Sequence, residues 1–520
     1  MTTTHGRRVV SMAGGTLASR LTGFVRVLVL AYVLGFTPLA DAFNLANTVP
    51  NMLFDLVLGG VASATFIPVF VERLALDSER RAWRSISVVV TAAVVVLAVA
   101  TVITMIAAPW IIQGLTSWGS HHSPLVGPQR AAATSLLRWF APQIFFYGLV
   151  GLATALLNVR ERFTAPSWAP VVNNVVCIVV LLWFHLVDPV PTLTSSGGSG
   201  HLAMLGLITT AGVAAQFAAL GPSLLRARLG RLRPRFDRHD PALASVARLG
   251  SWTLGVVVAN QIALFVVLAF TFGVGGQGPV SAYTYGWSFM QMPYAVVVVS
   301  ILSSLTPALA SLSSAGNLKA FQVRLAQGLR QSLVIILPCT MVLIILAQPV
   351  VALALHHADA RAHLPAATAL AVLGAGLPGF TVFQLCVRGL QAMQRARDVF
   401  ILYVIENALT VVLCASIGRT TLGGVCASVS LAYTASAVLA LVVLAHQSVN
   451  LSGELRSPYV LRSLVASLVA GFALAVGDAA SGATTGAGLV MRLIQSVALG
   501  ASAYVAVLLY WRRMTRRVRR

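Results

Sequence analysis

The sequence predicts an all-α polytopic membrane protein: about 14 transmembrane helices, as two pseudo-symmetric six-helix lobes plus two C-terminal helices, with the N- and C-termini cytoplasmic. Three observations lead there. The 520 residues are 58% hydrophobic and 10% charged, with a mean hydropathy of +0.85; soluble domains carry about 25% charged residues. Apolar runs of bilayer-spanning length, about 20 residues, recur along the whole chain. The basic residues gather on alternate connections between those runs.

Taken in order, the runs place helices near 9–35, 44–70, 86–115, 131–157, 167–186, 201–222, 248–273, 281–311, 331–355, 366–390, 399–418, 420–446, 460–477 and 485–511. The first is too long for a signal-peptide core, carries Arg20 and Arg26, and lacks a cleavage site. With a cytoplasmic N-terminus, the inner connections and tail hold twenty-eight Lys and Arg residues, from Arg7 to the six of WRRMTRRVRR. The outer connections hold three, Arg130, Arg361 and Arg419. So strong a positive-inside bias sets the orientation. It also accounts for the net charge of +22 as contact with anionic membrane lipids, with no need of nucleic acid.

Weak internal repetition supports two halves. VVNNVV around Asn174 returns as YVIENALTVV around Asn407, and AAPWII at Pro109 as AQPVVA at Pro349. The pair Pro50 and Pro68 returns as Pro293 and Pro307, all at offsets of about 240 residues. An even number of helices per repeat makes the halves parallel, and transporters built so bind substrate between them. The expected organisation is a lobe at 1–222, a cytoplasmic Arg-rich linker at 223–247, a lobe at 248–446, helices 13 and 14 within 447–511, and a basic tail at 512–520. The linker reads as an element anchored to lipid headgroups.

Charges inside the membrane are few: Arg20 and Arg26 in SRLTGFVR, Asp55, Arg138 and Glu406, with Asp41 at the outer mouth between the first two helices. A central charge costs roughly 2.5–3.5 kcal/mol on insertion scales, so such residues face a cavity or a partner. Arginine suits phosphate because its planar fork donates two parallel hydrogen bonds. Either a cationic patch for an anionic group or structural pairing accounts for the first-helix pair. Pairing of Asp55 with Arg20 or Arg26 is left open.

SRLTGFVR, ADAFNLANTVPN at 40–51 and GGVASATFIPVF at 59–70 resemble the opening of the MurJ (MviN) lipid II flippases of the MOP exporter superfamily. The helix count, the repeat and the two extra helices extend that resemblance along the chain. It implies a multi-pass protein of the bacterial cytoplasmic membrane that carries lipid II, the undecaprenyl-pyrophosphate-linked disaccharide-pentapeptide, to the outer leaflet by alternating access. It carries functional importance onto Arg20, Arg26 and Asp41. The departures are Phe54 and Asp55 where the best-studied branch has basic residues, Ser288 before Pro293 where it has arginine, and Val27 where an aspartate is frequent. The substrate-binding candidates are therefore Arg20, Arg26, Asp41, Asp55 and Ser288.

Some members of that family use a sodium site in the C-terminal lobe, and Asn260, Glu406 and Asn407 supply oxygen ligands of the type cations take. Coupling to Na+ or H+ at these residues, or a plain packing role, stays open. No cofactor is expected. His356, His357 and His363 in an outer loop read as solvated rather than metal-binding. The five cysteines, Cys177, Cys339, Cys386, Cys414 and Cys426, all fall in apolar segments and read as packing residues. Thr37–Asp41 and SSGGSG at 195–200 read as exposed turns. There is no GxxxxGK[ST] loop, so direct ATP hydrolysis is not expected. Three rivals remain: another MOP exporter of lipid-linked glycan or drug, a membrane enzyme acting on lipid II, and a scaffold working with cell-wall synthesis proteins. The scattered outer carboxylates argue against an enzyme.

Overall fold

The computed structural model describes residues 2–56, 66–76, 78–117, 124–188, 193, 199–227, 229–276, 278–354, 360–480 and 486–518. Among them the ordered structure is helical, without strand. Twelve helices are long and apolar enough to cross a membrane, or thirteen if a pair bent by 45° between Leu364–Ala375 and Leu377–Ala392 is one span. The fourteenth expected span, 44–70, contains residues 57–65, which lie outside the described residues together with most of the GGVASATFIPVF motif.

The first compact unit is Met1–Ala269. It contains α1 (Thr2–Leu34), α2 (Pro38–Phe54), α3 (Ile67–Leu76), α4 (Glu79–Thr116), α5 (Val126–Phe140), α6 (Pro142–Val159), α7 (Thr164–Val187), α8 (Ser199–Arg226) and most of α9 (Pro241–Gly273). α1 packs on α7, α7 on α8, and α8 on α5 and α6, which also hold α2 and α4. Trp83, Phe70, Leu97, Ile144 and Leu156 form its main core cluster. Ala242, Leu243 and Val246 at the start of α9 pack into that cluster, so the division between units falls inside α9 rather than in the linker at 223–247.

The second unit, Phe270–Arg520, holds α10 (Pro279–Pro293), α11 (Val299–Ser314), α12 (Leu318–Ile345), α13 (Ala347–Ala354), α14 (Ala360–Ala375), α15 (Leu377–Ala392), α16 (Ala396–Ser416) and α17 (Leu422–His446). The short α18 (Ser452–Leu455) leads to the hairpin of α19 (Pro458–Ala480) and α20 (Gly486–Val518), and α19 packs on α12.

Several expected spans are broken once, and each break carries a proline. Pro142 opens α6, Pro293 closes α10 ahead of a π-helical stretch at Tyr294–Val298, and Pro378 sits in the first turn of α15. Proline removes an amide donor and its ring clashes with the preceding turn. Helix starts are capped from the sequence: Thr37 accepts from Ala40 N, Asn317 from Ala320 N and Thr421 from Gly424 N. Within the spans, hydroxyls such as Thr101, Thr104 and Thr340 donate to the carbonyl four residues back, which satisfies them where lipid offers no partner.

Candidate substrate site

The rotation of α1 is fixed by its contact with α7. Trp168 Nε1 donates to Ser11 O at 3.1 Å, and a Cβ on Gly15 would stand 2.7 Å from Trp168 Cδ1, so only glycine admits the indole. Asn174 Nδ2 donates to Ser19 O and to Thr22 Oγ1, both at 3.1 Å, beside Gly23. Arg20 and Arg26 are six residues apart, about 9 Å along the axis and about 120° around it. With the α7 face fixed, they point to different places.

Arg20 is exposed on the flank of α1. Arg26 is half-buried, its guanidinium against the Tyr147 hydroxyl of α6 and the Cys177 thiol of α7. Tyr147 also meets Asn173, and its ring packs on Phe54 with centroids 5.5 Å apart. Next to Phe54, the exposed Asp55 accepts a hydrogen bond from Gln261 Nε2 of α9 at 3.3 Å. Arg26 is thus linked to α6 and α7 through Tyr147 and Cys177, and Asp55 to α9 through Gln261, with the Phe54–Tyr147 ring contact between them.

Neither arginine makes an ion pair among the described residues. The pairing of Asp55 with Arg20 or Arg26 does not form, because Asp55 lies past the last turn of α2 beside Gln261. The partners of Arg26 are neutral, so its charge is oriented without being cancelled. An anion reaching it gains charge-assisted hydrogen bonds, each about 1.5–3 kcal/mol net.

The other sequence candidates are placed apart. Asp41 does not stand at an open mouth: it is 1% exposed in the first turn of α2, among Leu39, Ala40, Ala42 and Phe43. It is about 20 Å along the α2 axis from Asp55, by the helical rise. Arg138, expected to be buried, is exposed on α5. Ser288 lies on α10 in the second unit, and its hydroxyl donates to Thr284 O of its own helix at 2.9 Å. Asn260 is half-buried on α9 within the first unit, whereas Glu406 and Asn407 lie on α16 in the second.

Glu406 is 2% exposed; Oε1 accepts from Thr410 Oγ1 at 3.1 Å, and Oε2 has no hydrogen-bond partner. Tyr283, Tyr403 and Tyr433 surround it electrostatically, and Asn407 Nδ2 donates to Tyr403 O at 2.7 Å. His356, His357 and the side chain of His363 lie outside the described residues, as do residues 195–198 of the SSGGSG turn.

A profile of the lipid II flippase MurJ family matches residues 30–499. The chain belongs to that family. It is 28% identical to the lipid II flippase MurJ of Burkholderia cenocepacia over 396 residues, 75% of this chain and 73% of the relative. It is 26% identical to a probable lipid II flippase MurJ of Rhizobium meliloti over 412 residues, 78% and 74% of the two chains. Among solved structures, a lipid II flippase MurJ in an inward closed conformation superposes with a TM-score of 0.77 over 97% of this chain and 100% of that one, at 19% identity. An inward-facing MATE transporter of the MOP superfamily follows with 0.69 over 85% and 96%, at 13% identity. These structural likenesses concern the fold. Family and spans together make this a multi-pass protein of the bacterial cytoplasmic membrane.

In this family member, sequence reasoning missed the neutral side chains around Arg26 and Asp55. Tyr147, Asn173, Cys177 and Gln261 are individually ordinary in apolar helices. The one signal was VVNNVVC at 171–177, noticed for its repetition; it supplies Asn173, Asn174 and Cys177 to a single face of α7.

Proposed function

We propose that this chain translocates lipid II from the inner to the outer leaflet of the cytoplasmic membrane. The observation that carries the reading is the Arg26 guanidinium, oriented by Tyr147 and Cys177 yet free of any carboxylate, with Arg20 exposed on the same helix. An uncancelled guanidinium held inside a membrane helix fits a phosphate of the lipid-linked diphosphate. Alternating access by rocking of two helical lobes that divide inside α9 would carry the headgroup while the polyprenyl tail stays in lipid. The chain acts as a transporter rather than an enzyme.

The driving force is the membrane potential or a coupled cation; one charge crossing 100 mV is worth about 2.3 kcal/mol. Of the two cations, the surroundings of Glu406 favour H+. Sodium-like sites need several oxygen ligands, whereas Glu406 has one hydroxyl partner and one bare oxygen.

The test is depletion in the source bacterium. Lipid II then accumulates on the inner leaflet and wall synthesis stops; undiminished lipid II accessibility at the outer face would reject the assignment. Incubating the purified protein with lipid II in detergent separates the enzyme rival, which alone would yield a new covalent product.

A further inference from the structure

The segment between α8 and α9, which reads in sequence as a linker anchored to lipid headgroups, is a strap clipped to α4. Residues 229–237 are non-helical. Gly230 lies against the Trp83 indole so closely that a Cβ would stand 2.1 Å from Cγ. Arg233 N–H donates to Ser87 Oγ at 3.4 Å and Arg235 N–H to Thr91 Oγ1 at 3.1 Å. Both hydroxyls meanwhile donate to carbonyls of α4, Ser87 to Trp83 O and Thr91 to Ser87 O, each at 2.7 Å. The strap therefore runs parallel to α4, with its amides spent on that helix.

The two bonded amides are two residues apart, the alternation of an extended chain. Arg231, Arg233 and Arg235 alternate along it with Leu232, Pro234 and Phe236. On α4, Arg80, Arg84, Ser87 and Thr91 are spaced i, i+4, i+7 and i+11, a single helical stripe, so the α4 arginines continue the row under the strap.

No described carboxylate forms an ion pair with this row. Among the described residues Arg80, Arg84, Arg231, Arg233, Arg235 and Arg238 make no ion pair. Glu79 pairs with Arg160 at 3.0 Å, and Asp237 and Asp240, at the end of the strap, accept from His239 N and Ala242 N rather than from an arginine. Beside the guanidinium groups, Leu232 and Phe236 are 38% and 76% exposed.

We propose that the strap and the first turns of α4 form a binding site for the headgroups of anionic phospholipids. Arg84, Arg231, Arg233 and Arg235 hold the phosphates, while Leu232 and Phe236 enter the boundary between headgroups and acyl chains. Basic and apolar groups side by side match that boundary; a soluble polyanion would leave Phe236 in water. The site is independent of the lipid II reading, since it uses none of the residues around Arg26.

The test is limited trypsinolysis of the full chain in nanodiscs, followed by mass spectrometry at Arg235 and Arg238. Phosphatidylglycerol mixed into phosphatidylcholine slows cleavage about tenfold relative to phosphatidylcholine alone, and high salt removes most of that protection. Arg231→Gln with Arg233→Gln keeps both cleavage positions and loses the protection. Ser87→Ala with Thr91→Val keeps every charge but unclips the strap, and the ratio between the two lipids falls towards one. Equal cleavage in both lipids for the unaltered chain, or an unchanged ratio in either variant, overturns the proposal. So does equal protection by soluble polyglutamate in phosphatidylcholine alone, which would assign the row to an acidic polypeptide.

Discussion

Replacing Arg26 separates function from stability. In Arg26→Ala the half-buried guanidinium leaves two neutral neighbours, the Tyr147 hydroxyl and the Cys177 thiol. Each retains another partner: Tyr147 meets Asn173, and Cys177 Sγ lies 3.4 Å from Asn173 Oδ1. No buried charge is orphaned, and the fold loses the two hydrogen bonds that Arg26 gives to Tyr147 and Cys177. The α1–α7 contact through Gly15, Trp168 and Asn174 is untouched. A phosphate-binding guanidinium contributes about 1.5–3 kcal/mol, which at 1.4 kcal/mol per tenfold is a roughly tenfold to hundredfold loss of substrate affinity. Arg26→Lys keeps the charge but not the fork, and should fall between the two. The assay is the initial rate of lipid II appearance at the outer leaflet of reconstituted vesicles, read against the melting temperature of the same preparations. Transport by Arg26→Ala within twofold of the unaltered protein, at normal stability, would refute the role given to this side chain.

Three further outcomes are expected. Gly148→Val should destabilise the first unit by about 1–3 kcal/mol, because a Cβ there would already stand 2.2 Å from Leu97 Cδ1; thermal unfolding in detergent reads the loss. Arg492 and Asp478 form a two-pronged pair across the α19–α20 hairpin, Nε–Oδ1 2.7 Å and Nη2–Oδ2 2.8 Å, with side chains 18% and 20% exposed. A double-mutant cycle on Arg492→Gln and Asp478→Asn should give a coupling energy of about 1–2 kcal/mol, and a value near zero would mean the hairpin does not depend on it. Glu406→Gln should preserve folding while making transport insensitive to an imposed pH gradient; an unchanged response to the gradient would remove Glu406 from coupling.

Much of the membrane architecture was legible because it depends on one-dimensional quantities. Run length identified the spans, and Pro142, Pro293 and Pro378 mark where three of them break. SRLTGFVR, ADAFNLANTVPN and GGVASATFIPVF together carried the resemblance to the family. Placement was not legible in the same way. Asp41 read as a mouth residue because a polar side chain between two apolar runs is usually wet, whereas it is 1% exposed in the first turn of α2. Arg138 read as buried from its position in a span and is exposed.

By itself the sequence determined that this chain crosses a membrane many times, that its first helix carries two guanidinium groups, and that its family moves a lipid-linked anion. Hydropathy and motif spacing are properties of consecutive residues. Only tertiary structure decided that those charges stay uncancelled, that Arg26 is steadied by a phenol and a thiol, and that Asp55 turns to Gln261 instead. Whether an opposite charge within one chain neutralises its partner depends on helix rotation. That rotation is set by contacts such as Gly15 with Trp168, more than 150 residues apart in the chain.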